Sequence, residues 1–178
     1  MAEEINLETY TQYINGNIEA FDKIVLKYKN NLISFILRYV KDYYVAEDIS
    51  QDVFAYIYVY RKNYNLKYSF KTYLFTIAKN KSIDYLRKKK DLINISDVQI
   101  QDTKNIEDEL LIKESDKETI NLLKKLRKDQ EIVLYLADIE QLPYKEIAKI
   151  TKKTVSNVKV TVFRARNSLK EIIGKREE

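Results

Sequence analysis

The chain has 178 residues, 45% of them apolar, which is enough for one domain or two small ones with real cores, and its 32 Lys and Arg outnumber 27 Asp and Glu for a net charge of +5. It contains no cysteine and no histidine, which removes disulfides, thiolate metal sites, cysteine nucleophiles, the commonest general base and the commonest metal ligand. An enzyme is therefore not expected, nor a cofactor, although carboxylate chemistry stays formally open. There is no apolar run near 20 residues and no basic start leading into an apolar segment. The expectation is a cytoplasmic protein without direct membrane insertion. Only two Gly and one Pro, among abundant Lys, Ile, Leu, Tyr and Asn, predict an all-helical chain.

In chain order, Leu7 to Ile14 has a weak helical pattern closed by Asn15, Gly16 and Asn17. Phe21, Val25, Tyr28, Leu32, Phe35 and Tyr39 then recur at steps of three and four, which predicts a long core-facing helix with Asn30 and Asn31 as its place to bend. Lys41 to Tyr44 reads as a connection and Ala46 as the start of the next helix. Its buried stripe is expected to be Ala46, Ile49, Val53, Ile57 and Tyr60, with Glu47, Asp48, Gln51 and Asp52 as an acidic outer surface near its start. Acids in a first turn also suit the helix dipole, so half of that pattern needs no partner.

Lys62 to Ser69 is the first true loop, and Ser69 can cap a helix running from Phe70 to about Lys89. That helix is apolar at Phe70, Tyr73, Leu74, Ile77 and Ala78 and strongly basic at its end. Aromatic rings beside lysines can stack on unpaired bases while the charges hold phosphates, but Tyr64, Tyr68 and Tyr73 would serve equally as core. Asp91 to Asn105 has no sustained period and is polar enough for a linker. Helical pattern returns near Ile106 and runs through Leu110, Leu111, Ile120, Leu122, Leu123 and Leu126. A further helix from Asp129 is expected to turn Ile132, Val133, Leu136 and Ile139 to the same core.

Tyr144 to Ile150 is a short helical pattern with Ile147, Ala148 and Ile150 inward, and Pro143 fits its first turn. Thr151 to Thr154 leaves room for a tight turn, in which Lys152 stands where Gly would ease a left-handed backbone. From Thr154, a residue type that caps helices, Val155, Val158, Val162, Ala165, Leu169 and Ile173 form an apolar stripe fit to lie on a core. Roughly opposite lie Ser156, Lys159, Val160, Phe163 and Arg164, with Asn157 and Arg166 at the margins. Two cations, a hydroxyl and apolar groups able to meet a thymine methyl suit a helix in the major groove, and helix, turn, helix is the order in which the second helix reads DNA. Arg166, nearer the edge, is better placed for a phosphate. An ordinary solvated amphipathic helix is the competing reading.

Charge is segregated along the chain. Lys79 to Lys90 holds six cations and one acid, Asp91 to Glu118 nine acids and three lysines, and Pro143 to Arg176 ten cations and two acids. Two basic blocks around an acidic stretch suggest two contacts with a polyanion, joined by a segment that avoids it. Each block taken alone is also explained as a solvated helix face.

Ala46-Glu47-Asp48, Gln51, Asp52 and Phe54, then Phe70, Tyr73-Leu74, Ile77-Ala78, Asn80, Asp84 and Leu86-Arg87, resemble the second conserved region of bacterial sigma factors. Glu146-Ile147-Ala148, Val158-Lys159 and Arg164-Ala165-Arg166 resemble the fourth. Their order and spacing are those of the small two-region class, the extracytoplasmic-function (ECF) sigma factors, and the resemblance covers nearly the whole chain. Tyr73 stands where that family usually has Trp, Pro143 where it often has Ser or Thr, and Lys152 where it has the turn Gly.

The resemblance implies an all-α protein of two small helical domains, 1–90 and 118–178, joined by a flexible acidic linker, 91–117, the second domain ending in the helix-turn-helix. It implies that Glu47, Asp48, Gln51 and Asp52 bind the clamp helices of the largest polymerase subunit, with the flap region of the second-largest subunit as a further contact. Tyr64, Asn65, Lys67, Tyr68, Tyr73, Asn80, Arg87 and Lys88 would meet minus-10 DNA and capture a flipped base. Ser156, Asn157, Lys159, Val160, Phe163, Arg164 and Arg166 would meet minus-35 DNA, and an anti-sigma factor is implied as a further partner. A conventional two-domain regulator would explain the helix-turn-helix without the acidic face. A helical adaptor would explain the bundles without the polar face of Thr154 to Ile173.

Overall fold

The computed structural model describes residues 6–66, 69–95 (side chains to 92) and 121–174. Every regular element among them is a helix, and they fall into two units, one within residues 1–100 and one within 101–178.

The first unit opens with α1, Leu7–Ile14, capped by Asn6, whose side chain accepts from the Thr9 N–H at 2.9 Å. Gly16, at φ +90, turns the chain, and Asn17 caps α2, Ile18–Val40, by accepting from Ala20 N–H at 2.9 Å. The α2 helix is one continuous element through Asn30 and Asn31. It ends at Lys41 in the left-handed region, at φ 58, a conformation costing a non-glycine residue about 1 kcal/mol. Asp42 then caps α3, Tyr43–Val59, by accepting from Val45 N–H at 3.1 Å.

Helix α3 therefore starts three residues before Ala46, because the cap lies inside the stretch that composition marks as a connection. Glu47 and Asp48 consequently lie beyond the first turn, which contains no acid. The dipole explanation for them lapses, since that effect fades within one turn. A single 3-10 turn, Arg61–Asn63, leads to the loop before α4, Phe70–Ile95. Ser69 caps α4 through Thr72 N–H at 3.4 Å. The helix continues past Lys89 to Ile95, into the stretch expected to be linker.

Helices α2, α3 and α4 pack pairwise around Ile24, Leu32, Phe35, Ile36, Ala46, Val53, Ile57, Leu74 and Phe75, all fully enclosed. Tyr60 is exposed rather than buried. It sits at the C-cap of α3, where the backbone leaves helical geometry (φ −99, ψ 30) and carries its ring out of the stripe.

The described part of the second unit starts with residues 121–123, which are helical, and with buried Leu123 and Leu126. Helix α5, Lys128–Leu134, runs on into a π-turn, Tyr135–Ile139, where Glu140 N–H donates to the Tyr135 carbonyl at 3.0 Å. A turn of that width takes in one residue more than an α-turn and rotates the residues after it about the helix axis. Ile139, expected inward, is accordingly exposed, while Ile132, Val133 and Leu136 are buried as expected. Glu140 is buried and accepts from the Tyr135 hydroxyl at 2.9 Å.

Pro143 occupies the N-cap of α6, Tyr144–Thr151, one position earlier than expected, and its carbonyl accepts from Glu146 N–H at 2.8 Å and Ile147 N–H at 3.1 Å. Lys152 does take the left-handed conformation, at φ 56 and ψ 40. With glycine absent from the bends at Lys41, Gln141 and Lys152, ordinary side chains hold positive φ at all three. Thr154 caps α7, Val155–Gly174, by accepting from Asn157 N–H at 3.2 Å.

The buried line of α7 is Val158, Thr161, Val162 and Ala165. Val155 and Ile173, expected in that stripe, are exposed. A 20-residue helix is about 30 Å long, whereas α5 and α6 have seven and eight residues. The ends of α7 therefore overhang the elements that cover its middle.

Candidate nucleic-acid and protein interfaces

The acidic face of α3 is not uniform. Glu47 is half-buried and pairs with Lys29 on α2 at 3.4 Å, and Asp52 lies 3.9 Å from Lys81 on α4. Asp48 and Gln51 are exposed. The same outward face continues into Tyr56, Val59 and Tyr60, all exposed, with the Tyr56 and Tyr60 rings 4.7 Å apart. The face is thus acidic at one end and aromatic at the other. Tyr56 and Val59 could have been found on the helical wheel, since neither falls on the buried stripe. Tyr60 could not, because it keeps the period of that stripe.

The loop before α4 is anchored by aromatic packing. Tyr64 is only 6% exposed, and its ring meets Tyr10 at 5.9 Å, Phe70 at 5.0 Å and Tyr73 at 5.4 Å. Burial raises the pKa of its hydroxyl from 10.0 to about 12, with the neighbouring Tyr28 contributing. Tyr64 as it lies supports the loop and offers little ring surface to a base. Asn65 beside it is exposed, Tyr73 is half-buried, and Asn80, Arg87 and Lys88 are exposed along α4, with Arg87 3.8 Å from Asp84. Lys67 and Tyr68 lie outside the described residues.

On α7 all seven expected DNA-facing residues, Ser156, Asn157, Lys159, Val160, Phe163, Arg164 and Arg166, are exposed. Phe163 is 66% exposed beside Val162 at 1%. Two of the seven have internal partners. The Asn157 side-chain oxygen accepts from the Thr161 hydroxyl at 3.2 Å. Arg166 grips Asp138 with Nη2 at 2.6 Å and Nε at 3.3 Å. These bonds and the Asp138 charge raise the pKa of the guanidinium further.

Arg164 points to the other flank of α7, into a groove of about 460 Å³ that it lines with Lys125, Arg127, Gln130, Asn167 and Glu171. Lys125 and Arg127 escaped the sequence reading because they precede α5 in a stretch of mixed charge, and only folding brings them beside Arg164. Among the described residues, no helix is long and apolar enough to cross a membrane and no group of His, Cys, Asp or Glu could hold a metal ion.

A helix-turn-helix with an apolar and basic outward face, in one chain with a helical unit bearing an acidic face and a basic helix, defines a two-unit DNA-binding transcription protein. Residues 24–91 match the family model of Sigma-70 region 2 and residues 117–169 that of Sigma-70 region 4. The chain is 31% identical over 156 residues to the ECF RNA polymerase sigma factor SigM of Bacillus subtilis (strain 168), covering 86% of this chain and 95% of that protein. It is 28% identical over 182 residues to the ECF RNA polymerase sigma-E factor of Escherichia coli (strain K12), covering 95% of each. The chain belongs to the ECF sigma factors and is an RNA polymerase sigma factor.

Two solved structures share the fold. CnrH, in complex with the cytosolic domain of CnrY, superposes with a TM-score of 0.69 at 20% identity, covering 94% of this chain and 96% of that one. RpoE from Bartonella quintana, in complex with the anti-sigma factor NepR, gives 0.69 at 23% identity, covering 86% and 96%.

Proposed function

We propose that the three surfaces divide the work of a sigma factor between them. The outward face of α7, formed by Ser156, Asn157, Lys159, Val160, Phe163 and Arg164, reads minus-35 DNA in the major groove, with Arg166 at its margin for a phosphate. The loop of Asn65, Lys67 and Tyr68, together with Tyr73, Asn80, Arg87 and Lys88 on α4, holds the melted minus-10 strand. Tyr64 acts from beneath the loop. The face of α3 centred on Asp48 and Gln51, flanked by Glu47 and Asp52, docks on the clamp helices of the largest polymerase subunit. The second unit also meets the flap region of the second-largest subunit, and segment 91–117 links the functional domains 1–90 and 118–178.

The observation that carries this reading is the pairing of exposed Phe163 with buried Val162 on one helix. A large ring outside the core, beside two cations, can meet a thymine methyl or a sugar in the groove. Melting on this scheme needs no bond chemistry: preferential binding of the unstacked strand offsets a few kcal/mol of unstacking. The protein thus acts as a polymerase subunit without enzymatic activity of its own, in the cytoplasm. The anti-sigma factor held by the Bartonella quintana RpoE supports an anti-sigma partner here as well.

Purified core polymerase, supplied with a candidate promoter with and without this protein, tests the reading. Specific initiation only in its presence is the expected result. Duplex binding by the protein alone, with no effect on initiation, would instead indicate a conventional regulator.

A further inference from the structure

We propose that Tyr10, on the short helix α1, is a positioning residue for Asn65, at the start of the loop before α4; the inference rests on the reading of that loop as the minus-10 contact. Helix α1 has eight residues, too few to persist without tertiary contacts. Tyr13 anchors it to α3: the ring is buried and its hydroxyl donates to the Ile57 carbonyl. Tyr10 shares Phe70 with Tyr13 and adds contacts of its own. Its hydroxyl shares a hydrogen bond with that of Tyr28 on α2 at 2.8 Å. Its ring stacks on Phe70 at 4.9 Å and 26° and meets the Tyr64 ring edgewise at 5.9 Å and 65°.

Tyr64 and Phe70 are the two ends of the loop. Both are buried, they touch each other at 5.0 Å and 89°, and both meet the Tyr10 ring, whereas Tyr13 of the same helix reaches Phe70 alone of the two, edgewise at 5.9 Å and 86°. Tyr28 also meets Phe70, at 5.6 Å, so the hydrogen bond between the two tyrosines ties α2 into the same cluster. The exposed Asn65 follows Tyr64 directly in the chain, and Phe70 is the first residue of α4. Tyr64 packs directly on Phe70 and Tyr73 of α4, and the Tyr10 ring, 55 positions before Asn65 in sequence, braces that packing from the other side without any need to touch DNA. Aromatic pairs prefer stacked and edge-to-face geometry over others, so the Tyr10 ring constrains orientation as well as volume.

The test uses the full chain with core polymerase and a single-stranded oligonucleotide carrying the minus-10 sequence of a promoter from which the holoenzyme initiates. Tyr10→Leu keeps apolar bulk but loses the flat ring, Tyr10→Phe keeps the ring, and Asn65→Ala removes the loop's polar group. All are measured well below their thermal midpoints. Tyr10→Leu is expected to weaken strand binding by about tenfold, the scale of one lost aromatic contact, with affinity for core polymerase unchanged. Tyr10→Phe should restore most of the strand binding.

Unchanged strand binding in Tyr10→Leu overturns the proposal. So does a loss of core affinity in the same proportion, which would mark Tyr10 as a generic structural residue. Failure of the underlying reading looks different: Asn65→Ala and both Tyr10 variants would then all be silent toward the strand, whereas a silent Tyr10→Leu beside an impaired Asn65→Ala overturns the positioning role alone.

Discussion

Arg166 on α7 is held by Asp138, the two side chains joined by Nη2 and Nε contacts at 2.6 and 3.3 Å across 28 residues of sequence. The guanidinium that would grip a DNA phosphate thus already has a carboxylate in a fork-like arrangement, the geometry it would use for phosphate. On the proposed assignment of Arg166 to a phosphate, Asp138 would compete with the DNA backbone for one cation. Both side chains are partly exposed, so the bridge contributes only about 0–1 kcal/mol to folding, and its larger effect is on binding.

Asp138→Asn should therefore raise affinity for duplex DNA of any sequence and steepen the dependence of log K on log salt by about 0.9, the slope of one added phosphate contact. Arg166→Ala should lower the thermal midpoint only slightly. In an Arg166→Ala background the Asp138→Asn change should have no effect on DNA. Duplex titrations of the two single variants and the double variant over a salt series give the answer, and additive effects would exclude the competition.

Adjacent residues on α7 should behave oppositely. Val162→Ala removes two methyl groups from a site that is 1% exposed and should cost on the order of 2 kcal/mol of stability while leaving base preference intact. Phe163→Ala should change stability by no more than about 0.5 kcal/mol and lose on the order of 1–3 kcal/mol of discrimination at particular base pairs. Thermal melting and a comparison of promoter variants separate the two. Unfolding by Phe163→Ala would place the DNA face elsewhere on the helix.

On α3, Asp48 and Gln51 are exposed, whereas Glu47 and Asp52 already neighbour Lys29 and Lys81. Changing Asp48 and Gln51 together to Lys should weaken binding to core polymerase, because it replaces complementarity with repulsion against a basic partner surface. Helix content by circular dichroism should stay the same. Undiminished core affinity in a folded double variant would remove α3 from the docking surface.

The features legible in the sequence are local ones. Asn15-Gly16-Asn17 marks the end of α1, and Lys152 marks a left-handed turn, because a few backbone groups decide both. The inward phase of α6 and of the middle of α7 comes from a 3.6-residue period that neighbours do not alter. The misses have longer-range causes. Ile139 turned outward because of a π-turn that has no compositional sign. Val155 and Ile173 emerged because the lengths of α5 and α6, not the sequence of α7, decide where cover ends. In sequence Tyr64 is open between core and base-facing roles, because aromatic residues beside lysines look alike in either, and only the approach of Tyr10 and Phe70 places its ring in the core. The bridge from Arg166 to Asp138 has no local signal at all.

The same aromatic cluster predicts an alkaline limit to the stability of the first unit. Burial is the first cause of the raised pKa of Tyr10, Tyr13, Tyr64 and Tyr73, and for Tyr10 the hydrogen bond with Tyr28 adds to it. Tyr64 is raised from the ordinary 10.0 to about 12, and Tyr10 and Tyr13 lie further above. An acid whose folded pKa is raised is favoured in its neutral form by folding. Its contribution is fully present below the unfolded pKa of 10.0 and is lost as pH climbs through the folded value. Below pH 10.0 these four groups should leave stability flat; between 10.0 and about 12 the unfolded chain ionises first and the thermal midpoint should fall continuously. Tyr64→Phe, which cannot ionise, should show a shallower fall over that interval even where its midpoint at neutral pH is lower. Thermal melts against pH, read alongside tyrosinate absorbance, make the measurement. An alkaline fall of equal steepness in Tyr64→Phe would mean that burial of this hydroxyl does not couple its ionisation to folding.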